Sequence, residues 1–302
     1  MNKNNFNFIF FGTPDVASDT LEILKQNGYI PSLIVTSPDK PQGRKMLITP
    51  PPVKIWAIEN NVPHIQPEKF NQEEIYDVLR NNIPNFFLVV AYGKIMPEKI
   101  INMPKLGSIN IHYSLLPKYR GASPVESAIL NGDTETGVSI QKMKFEMDSG
   151  PIMAQEKVSI LPNEKASELR KRLIKIGGEL LVKLLHTPSA QKDFLGTSPY
   201  VGGGWVGVKQ NESEATYCKK IKKEDGLVNL EEEPPSVLYN KFRAYAHWPR
   251  TFFFQNNKRI IITDAELIDN PLDKALGKQF SIKKVLPEGK KEIKYEEFIK
   301  QS

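Results

Sequence analysis

The chain has 302 residues, of which 40% are hydrophobic and 25% are charged, a composition that is typical of a folded globular protein and excludes a disordered or fibrous one. A chain of this length exceeds one ordinary hydrophobic core, so two domains are expected. Its single cysteine, Cys218, excludes an internal disulfide and any multi-cysteine metal site, which predicts a reducing, cytoplasmic location. No apolar run is long enough to span a bilayer, so no membrane is expected as a partner.

The net charge of +6 favours an anionic partner. The excess is spread evenly, because residues 205–302 hold 18 basic and 15 acidic residues, against 23 and 20 in the remainder. Lysines cluster locally, at 219–223, 283–284 and 290–291. Such clusters occur both on phosphate-binding surfaces and on solvated faces that have no partner, and charge alone leaves both interpretations open.

The N-terminal part alternates apolar strands with amphipathic helices. Residues 8–11 are fully apolar, a helical pattern runs from Val16 towards Gly28, and residues 32–36 read as the next strand. This order predicts a βαβ unit, a parallel sheet and therefore an α/β domain. The first turn reads Gly-Thr-Pro-Asp instead of Gly-x-Gly-x-x-Gly, so NAD or FAD is not expected to bind there. The same patterns predict helices at 53–59, 72–80, 123–130 and 166–186, and strands at 86–90, 137–143 and 152–159.

A long loop separates the second strand from the next helix. Residues 37–53 contain five prolines and carry the basic residues Lys40, Arg44 and Lys45. Loops of this length are often functional. The basic side chains therefore either reach a phosphate backbone or belong to a surface insertion.

A second loop, from Ala91 to Met96, follows the apolar strand 86–90. In an open α/β sheet, the loops at the carboxyl ends of the strands line the ligand crevice. Its larger side chains, Tyr92, Ile95 and Met96, therefore either contact a large apolar ligand or serve ordinary packing.

The segment from Gly107 to Gly121 is the most informative in the chain. Residues 108–112 alternate polar and apolar residues, so a strand here places Asn110 and His112 on one face. An amide can donate to an oxygen that gains negative charge, and an imidazole can carry a proton near neutral pH, so the two form a candidate catalytic pair.

Asp148 is the carboxylate that we expect next to His112. It lies on a polar turn between the strands 137–143 and 152–159, where it would orient the imidazole. The alternative is a purely structural role, since Asp, Ser and Gly are ordinary turn residues.

The C-terminal part begins after a linker at 189–206, which contains Pro199 and the run Gly202-Gly203-Gly204. A helix is predicted at 235–246. Short strands are predicted at 251–254, 259–263, 279–285 and 292–295. Several short strands in fewer than a hundred residues suggest a small barrel.

Several of these motifs occur together in one known family. Asn110-Ile111-His112, followed by Ser114-Leu115-Leu116-Pro117 and later by Asp148, resembles the folate-dependent formyltransferase family. The segments Phe11–Asp15 and Pro38–Arg44 add to the likeness, which covers nearly the whole chain. Within that family, the chain looks most similar to the members that act on charged initiator tRNA.

The resemblance implies a Rossmann-like open sheet at 1–188, a linker at 189–206 and an OB-like β-barrel at 207–302 that binds tRNA. It places the catalytic trio on Asn110, His112 and Asp148, and it implies no metal and no DNA partner. The donor would be 10-formyltetrahydrofolate. The folate pocket would be lined by Ala91, Tyr92, Gly93, Ile95, Met96, Ser114, Leu115, Leu116 and Pro117. The loop that carries Lys40, Arg44 and Lys45 would enter the acceptor stem of the tRNA.

The implied reaction is transfer of a formyl group to the amino group of initiator methionyl-tRNA, which yields the N-formylated form used in translation initiation. Asn110 and protonated His112 would donate to the oxyanion that forms when the amine attacks. The alternatives are a formyltransferase for sugar nucleotides or other small amines, and a non-catalytic RNA-binding module on the same scaffold.

Overall fold

The structure is a computed structural model, and it describes residues 7–43, 45–70, 72–82, 84–186, 207–269 and 277–300. Contacts divide the chain into two units. The first unit consists of Met1–Arg120, Gly137–Val158 and Lys171–Thr216. The second unit consists of Gly121–Thr136, Ser159–Arg170 and Tyr217–Ser302. The predicted linker at 189–206 lies outside the described residues, so the domain limits stay a prediction, but residues 207–216 group with the first unit.

One sheet organises the first unit. Its strands are β1 (Phe8–Gly12), β2 (Leu33–Val35), β5 (His64–Ile65), β6 (Phe86–Val90), β7 (Ser108–His112), β9 (Glu135–Lys142) and β10 (Ile152–Ser159). Their order is β10-β9-β7-β6-β1-β2-β5. The pairs from β5 to β7 are parallel, whereas β9 runs antiparallel to β7. The predicted, mostly parallel α/β sheet is therefore confirmed.

The central strands β1 and β6 are buried at every position. Strands of this kind are apolar throughout, because both of their faces lie against other parts of the protein. On one face, Phe11 and Val89 belong to a hydrophobic cluster with Ile75 and Leu79. The sheet therefore forms the core of the first unit, and its carboxyl edge is where the loops after β6 and β7 begin.

The first unit contains the helices that the sequence predicts and one short helix, Glu98–Ile101, that it does not predict. They are α1 (Asp15–Gln26), α2 (Pro52–Glu59), α3 (Glu73–Asn81), α4 (Glu98–Ile101) and the first-unit part of α6 (Ala166–His186). Pro52 opens α2, a position where the missing N–H costs nothing. Gly28 follows α1 with φ 85°, in the left-handed region that glycine adopts without strain.

The long loop at 37–53 contains a short hairpin that the sequence does not predict. Its strands, β3 (Lys40–Gln42) and β4 (Leu47–Thr49), pair antiparallel. The turn between them has Gly43 at φ 69° and Met46 at φ 50°. The alternation that marks longer strands is absent over three residues, which is why the sequence reads as a loop.

The second unit contains a four-stranded antiparallel sheet, whose strands lie side by side in sequence order. They are β12 (Phe252–Gln255), β13 (Lys258–Asp269), β14 (Lys278–Pro287) and β15 (Ile293–Lys294). Its helices are α5 (Pro124–Leu130), α7 (Pro235–Ala244) and α8 (Tyr295–Lys300). Leu238 and Phe242 of α7 pack against Ile260 and Val285 of the sheet. This small C-terminal β-sheet confirms the second part of the predicted fold class.

Two short strands, β8 (Arg120–Gly121) and β11 (Tyr217–Cys218), lie where the chain passes from one unit to the other. The strand β13 is longer than predicted, and its pairing with β14 is irregular between Ile262 and Ala265. The helix α8 has no counterpart in the predicted elements, because six residues are too few for a clear helical period.

A pair of glycines lets α6 pack closely. A Cβ atom at Gly178 would lie 2.9 Å from both Cδ1 and Cγ2 of Ile23 in α1, closer than such atoms approach in real structures. A Cβ at Gly177 would lie 3.1 Å from Cγ1 of Val138 and 3.2 Å from Cγ2 of Ile111. Glycine inside a helix is unfavourable by about 1 kcal/mol relative to alanine, so close packing accounts for the pair.

We expect Gly178→Leu to lower the free energy of unfolding by about 1–3 kcal/mol, because the new side chain must displace Ile23. The exposed Lys175 on the same helix offers a control, and Lys175→Leu should change stability by less than about 0.5 kcal/mol. Unfolding in urea, followed by circular dichroism, measures both variants. Equal stability of Gly178→Leu and the parent chain would contradict the packing argument.

Candidate active site

The structure brings the three predicted catalytic side chains together at the carboxyl end of β7. Asn110 and His112 extend from the same face of the strand, and Asp148 lies on the turn after β9. The Asn110 Nδ2 atom donates to Oδ1 of Asp148 at 3.4 Å. The His112 Nδ1 atom lies 3.6 Å from Oδ2 of Asp148. The amide, the imidazole and the carboxylate therefore surround one small volume.

The imidazole of His112 is buried, with 5% of the residue exposed. Its Nε2 atom lies 2.9 Å from the carbonyl oxygen of Tyr119. A carbonyl can only accept a hydrogen bond, so Nε2 carries the hydrogen and Nδ1 is the nitrogen that faces Asp148. The backbone of Tyr119, which the sequence does not single out, thus selects the tautomer, while Asp148 lies beside the second nitrogen.

Asp148 is held by groups on both its side chain and its backbone. Gln141 donates from Nε2 to Oδ1 of Asp148 at 2.8 Å. Gln210 donates from Nε2 to the carbonyls of Asp148, at 2.8 Å, and of Gly150, at 2.7 Å. Asp148 itself has φ 50°. A Cβ at Gly150 would lie 1.6 Å from the carbonyl oxygen of Lys142, so this tight turn requires glycine there.

Gln141, Gln210 and Arg120 are the site residues that the sequence analysis missed. Gln141 could have been found, because it lies opposite Asn110 in the pairing of β7 with β9. Gln210 lies 62 residues from Asp148 along the chain, and no local pattern marks it. Arg120 donates to the Oε1 atom of Gln210 at 2.8 Å.

Residues 114–117 of the predicted folate pocket form a closely hydrogen-bonded turn beyond β7. Ser139 donates its hydroxyl to the carbonyl of Ser114 at 2.6 Å and accepts from the N–H of Leu116 at 3.1 Å. Ser114 and Leu116 are buried, and the Leu116–Pro117 peptide is cis. The hydroxyl of Ser139, in β9, thus fixes this turn through two hydrogen bonds.

The other part of that predicted pocket, the loop from Ala91 to Met96, divides into buried and exposed side chains. Tyr92 and Met96 belong to the hydrophobic core, whereas Ile95 is exposed. Ala91 and Gly93 have positive φ, and Thr13 donates to the carbonyl of Tyr92 at 2.9 Å. Burial raises the pKa of the Tyr92 hydroxyl. Of the three large side chains, Tyr92 and Met96 are buried and Ile95 is exposed to solvent.

Two of the predicted tRNA-contacting residues, Lys40 and Lys45, lie in the β3–β4 hairpin. Lys40 and Lys45 are exposed, and Arg44 lies outside the described residues. The exposed apolar side chains of Met46, Leu47 and Ile48 follow directly. The hairpin therefore presents cations and an apolar surface to solvent.

An ion pair between Asp39 and Lys54 anchors the base of this hairpin. Asp39 accepts hydrogen bonds from Nζ of Lys54, at 2.7 and 2.9 Å, and from Nε2 of Gln66, at 2.7 Å. Gln66 also donates to the carbonyl of Ser37 at 2.8 Å. The Gln66 amide and the Lys54 ammonium hold the pKa of Asp39 below its usual value.

No group of three or more His, Cys, Asp or Glu residues in the described ranges is arranged to hold a metal ion. Within those same ranges, no helix combines the length and apolar character needed to cross a membrane.

Residues 4–185 match the family model described as "Formyl transferase", and residues 220–284 match "Formyl transferase, C-terminal domain". The chain belongs to the formyltransferase family.

The chain is similar over most of its length to methionyl-tRNA formyltransferases. It is 41% identical to that of Thermotoga maritima over 88% of this chain and 80% of the relative. It is 34% identical to that of Thermodesulfovibrio yellowstonii over 96% of this chain and 94% of the relative.

Solved structures share the fold at lower identity. An N-formyltransferase from Helicobacter canadensis, solved with folinic acid and dTDP-3-aminofucose, matches with a TM-score of 0.62 and 21% identity over 88% of this chain and 89% of that one. HypX from Aquifex aeolicus, solved with tetrahydrofolic acid, matches with a TM-score of 0.59 and 12% identity over 98% of this chain and 47% of that one.

We expect Asp39→Asn to increase hydrogen exchange of the hairpin amides at neutral pH, because the lysine anchor loses its charged partner. The folded pKa of Asp39 is depressed, so its stabilising contribution is present above the unfolded value of about 3.9 and is lost as the pH falls through the folded value. The exchange rates of the hairpin amides in the parent chain and in the variant should therefore become equal at acidic pH. The control is Asp77→Asn, which removes an exposed ion pair with Arg80 on α3. Unchanged hydrogen exchange of the hairpin amides in Asp39→Asn at pH 7 would refute the anchor.

Proposed function

We propose that the chain transfers the formyl group of 10-formyltetrahydrofolate to the amino group of initiator methionyl-tRNA. The observation that carries this proposal is the convergence of Asn110, His112 and Asp148. It occurs in a chain that is 41% identical to a methionyl-tRNA formyltransferase over 88% of its length. The product would be N-formylmethionyl-tRNA, used to initiate translation in the cytoplasm.

The reaction begins when the amine attacks the formyl carbon bound to N10 of the folate. A new C–N bond forms, and the carbonyl π electrons move to oxygen to give a tetrahedral oxyanion. The Nδ2 group of Asn110 has two hydrogens, one of which points to Asp148 at 3.4 Å. The second is available to the oxyanion, and a donor of this kind lowers such a barrier by about 3 kcal/mol.

His112 moves the proton. Its Nε2–H is engaged by Tyr119, so Nδ1 is the nitrogen that accepts the proton from the attacking amine. Asp148, 3.6 Å away, stabilises the imidazolium that results. When the carbonyl re-forms, the C–N10 bond breaks and His112 returns the proton to N10, so the folate leaves as the neutral amine.

The β3–β4 hairpin is the surface that we assign to the acceptor stem. Lys40 and Lys45 would pair with phosphates, and Arg44 would join them. Met46, Leu47 and Ile48 offer an exposed apolar wedge, a device that proteins use to separate stacked bases. The folate would bind beside β6 and β7, against the backbone of Ala91–Gly93 and the Ser114–Pro117 turn.

We expect Asn110→Ala, His112→Ala and Asp148→Asn each to lower kcat by about 100-fold or more, because each removes a charge-stabilising or proton-transferring group. The exposed Glu146 on the same turn supplies the control, and Glu146→Gln should retain parental turnover. Initial rates of formyl transfer and circular dichroism spectra are the measurements. Near-parental kcat in any of the three folded variants would remove that residue from the mechanism.

The acceptor is tested by offering the same donor to charged initiator methionyl-tRNA, a glycinamide ribotide and an amino sugar nucleotide. Turnover only with the charged tRNA is the expected result. Turnover with the sugar nucleotide alone would replace the proposed acceptor by the one present in the Helicobacter canadensis structure. Salt-sensitive tRNA binding without formyl transfer would favour a non-catalytic RNA-binding module.

A further inference from the structure

Arg120 is the most deeply buried charged side chain near the candidate site, with 1% of the residue exposed. Its guanidinium donates to both carboxylate oxygens of Glu212, at 2.8 and 2.9 Å. It also donates twice to the Oε1 atom of Gln210, at 3.0 and 2.8 Å. A buried cation requires such acceptors, and the planar guanidinium imposes their directions.

Arg120 determines which way the amide of Gln210 points. A guanidinium has no acceptor, so the oxygen of the Gln210 amide must face Arg120 and the nitrogen must face away. That nitrogen donates to the carbonyls of Asp148 and Gly150, at 2.8 and 2.7 Å. Gln210 is only 4% exposed, so water offers its amide no alternative partners.

Residues 210–216, which include Gln210, also hold the peptide that contacts His112. Thr216 accepts from the N–H of Tyr119 through Oγ1 and from the N–H of Arg120 through its carbonyl, both at 2.8 Å. The carbonyl of Tyr119 is the group that binds Nε2 of His112. Residues 210–216 therefore contact both the turn that carries Asp148 and the peptide that orients His112.

We infer that Gln210, aligned by Arg120, is a positioning residue that holds the Asp148 carboxylate beside Nδ1 of His112. This inference rests on the proposed function, in which Asp148 stabilises the protonated imidazole. Asp148 has a positive φ and lies on a polar turn. Gln210 restrains this turn through one hydrogen bond to the carbonyl of Asp148 and one to the carbonyl of Gly150. Loss of this restraint affects the reacting geometry and leaves the substrate surfaces intact.

The first test compares the effect of a Gln210 substitution on kcat with its effect on KM. Gln210→Ala should lower kcat by about 10- to 100-fold, because a displacement of about 1 Å at the reacting groups has an effect of that size. The KM values for donor and acceptor should stay at the parental level. Gln210→Glu should also be impaired, since it keeps an acceptor for Arg120 but directs a second oxygen at two carbonyls. Glu214→Gln, at an exposed position of the same segment, is the control.

The second test separates positioning from general destabilisation. If Gln210 acts through Asp148, then Gln210→Ala in an Asp148→Asn background should lower kcat by less than about twofold further, whereas an independent structural effect would add in full. Additive losses, a raised KM with unchanged kcat, or parental kcat in Gln210→Ala would overturn the inference.

Failure of the proposed function has a different signature. In that case the parent chain itself would not formylate methionyl-tRNA, and the cycle would be run with whichever acceptor it does turn over. If the parent chain formylates its acceptor and Gln210→Ala has the same kcat, only the positioning role of Gln210 is rejected.

Discussion

A buried imidazole needs a partner at each ring nitrogen, and the arrangement around His112 follows from that requirement. The carbonyl of Tyr119 accepts from Nε2, and the carboxylate of Asp148 faces Nδ1. Each of these partners must itself be held, because both lie on irregular backbone with positive φ. Gln210, aligned by Arg120, holds the turn of Asp148, and Thr216 holds the peptide of Tyr119. The site is thus a connected set of hydrogen bonds in which each group restrains the next.

The structure divides the work around the imidazole differently from the sequence analysis. The sequence analysis expects Asp148 to orient the ring. In the structure, a backbone carbonyl orients the ring, and the carboxylate is left beside the nitrogen that would exchange the proton. A backbone group is well suited to select the tautomer, because it has no second protonation state and cannot rotate away from the chain that carries it.

The fold and the principal site residues are recognisable from local patterns. Apolar runs mark the buried strands, the alternation at 108–112 places Asn110 and His112 on one face, and the period of α6 is visible over its full length. Weak signals were missed where elements are short, as in the β3–β4 hairpin. The sequence did not indicate that the side chains of Tyr92 and Met96 are buried, and the structure places both in the hydrophobic core.

The sequence by itself determined the α/β sheet, the small C-terminal β-sheet and the identity of the three side chains at the site, because periodicity and side-chain chemistry are properties of neighbouring residues. Only the tertiary structure decided the tautomer of His112, the restraint of Asp148 by Gln210 and the membership of residues 207–216 in the first unit. Those features depend on hydrogen bonds between residues up to 97 positions apart, and a buried Arg120 can be satisfied by any acceptors that the fold brings to it.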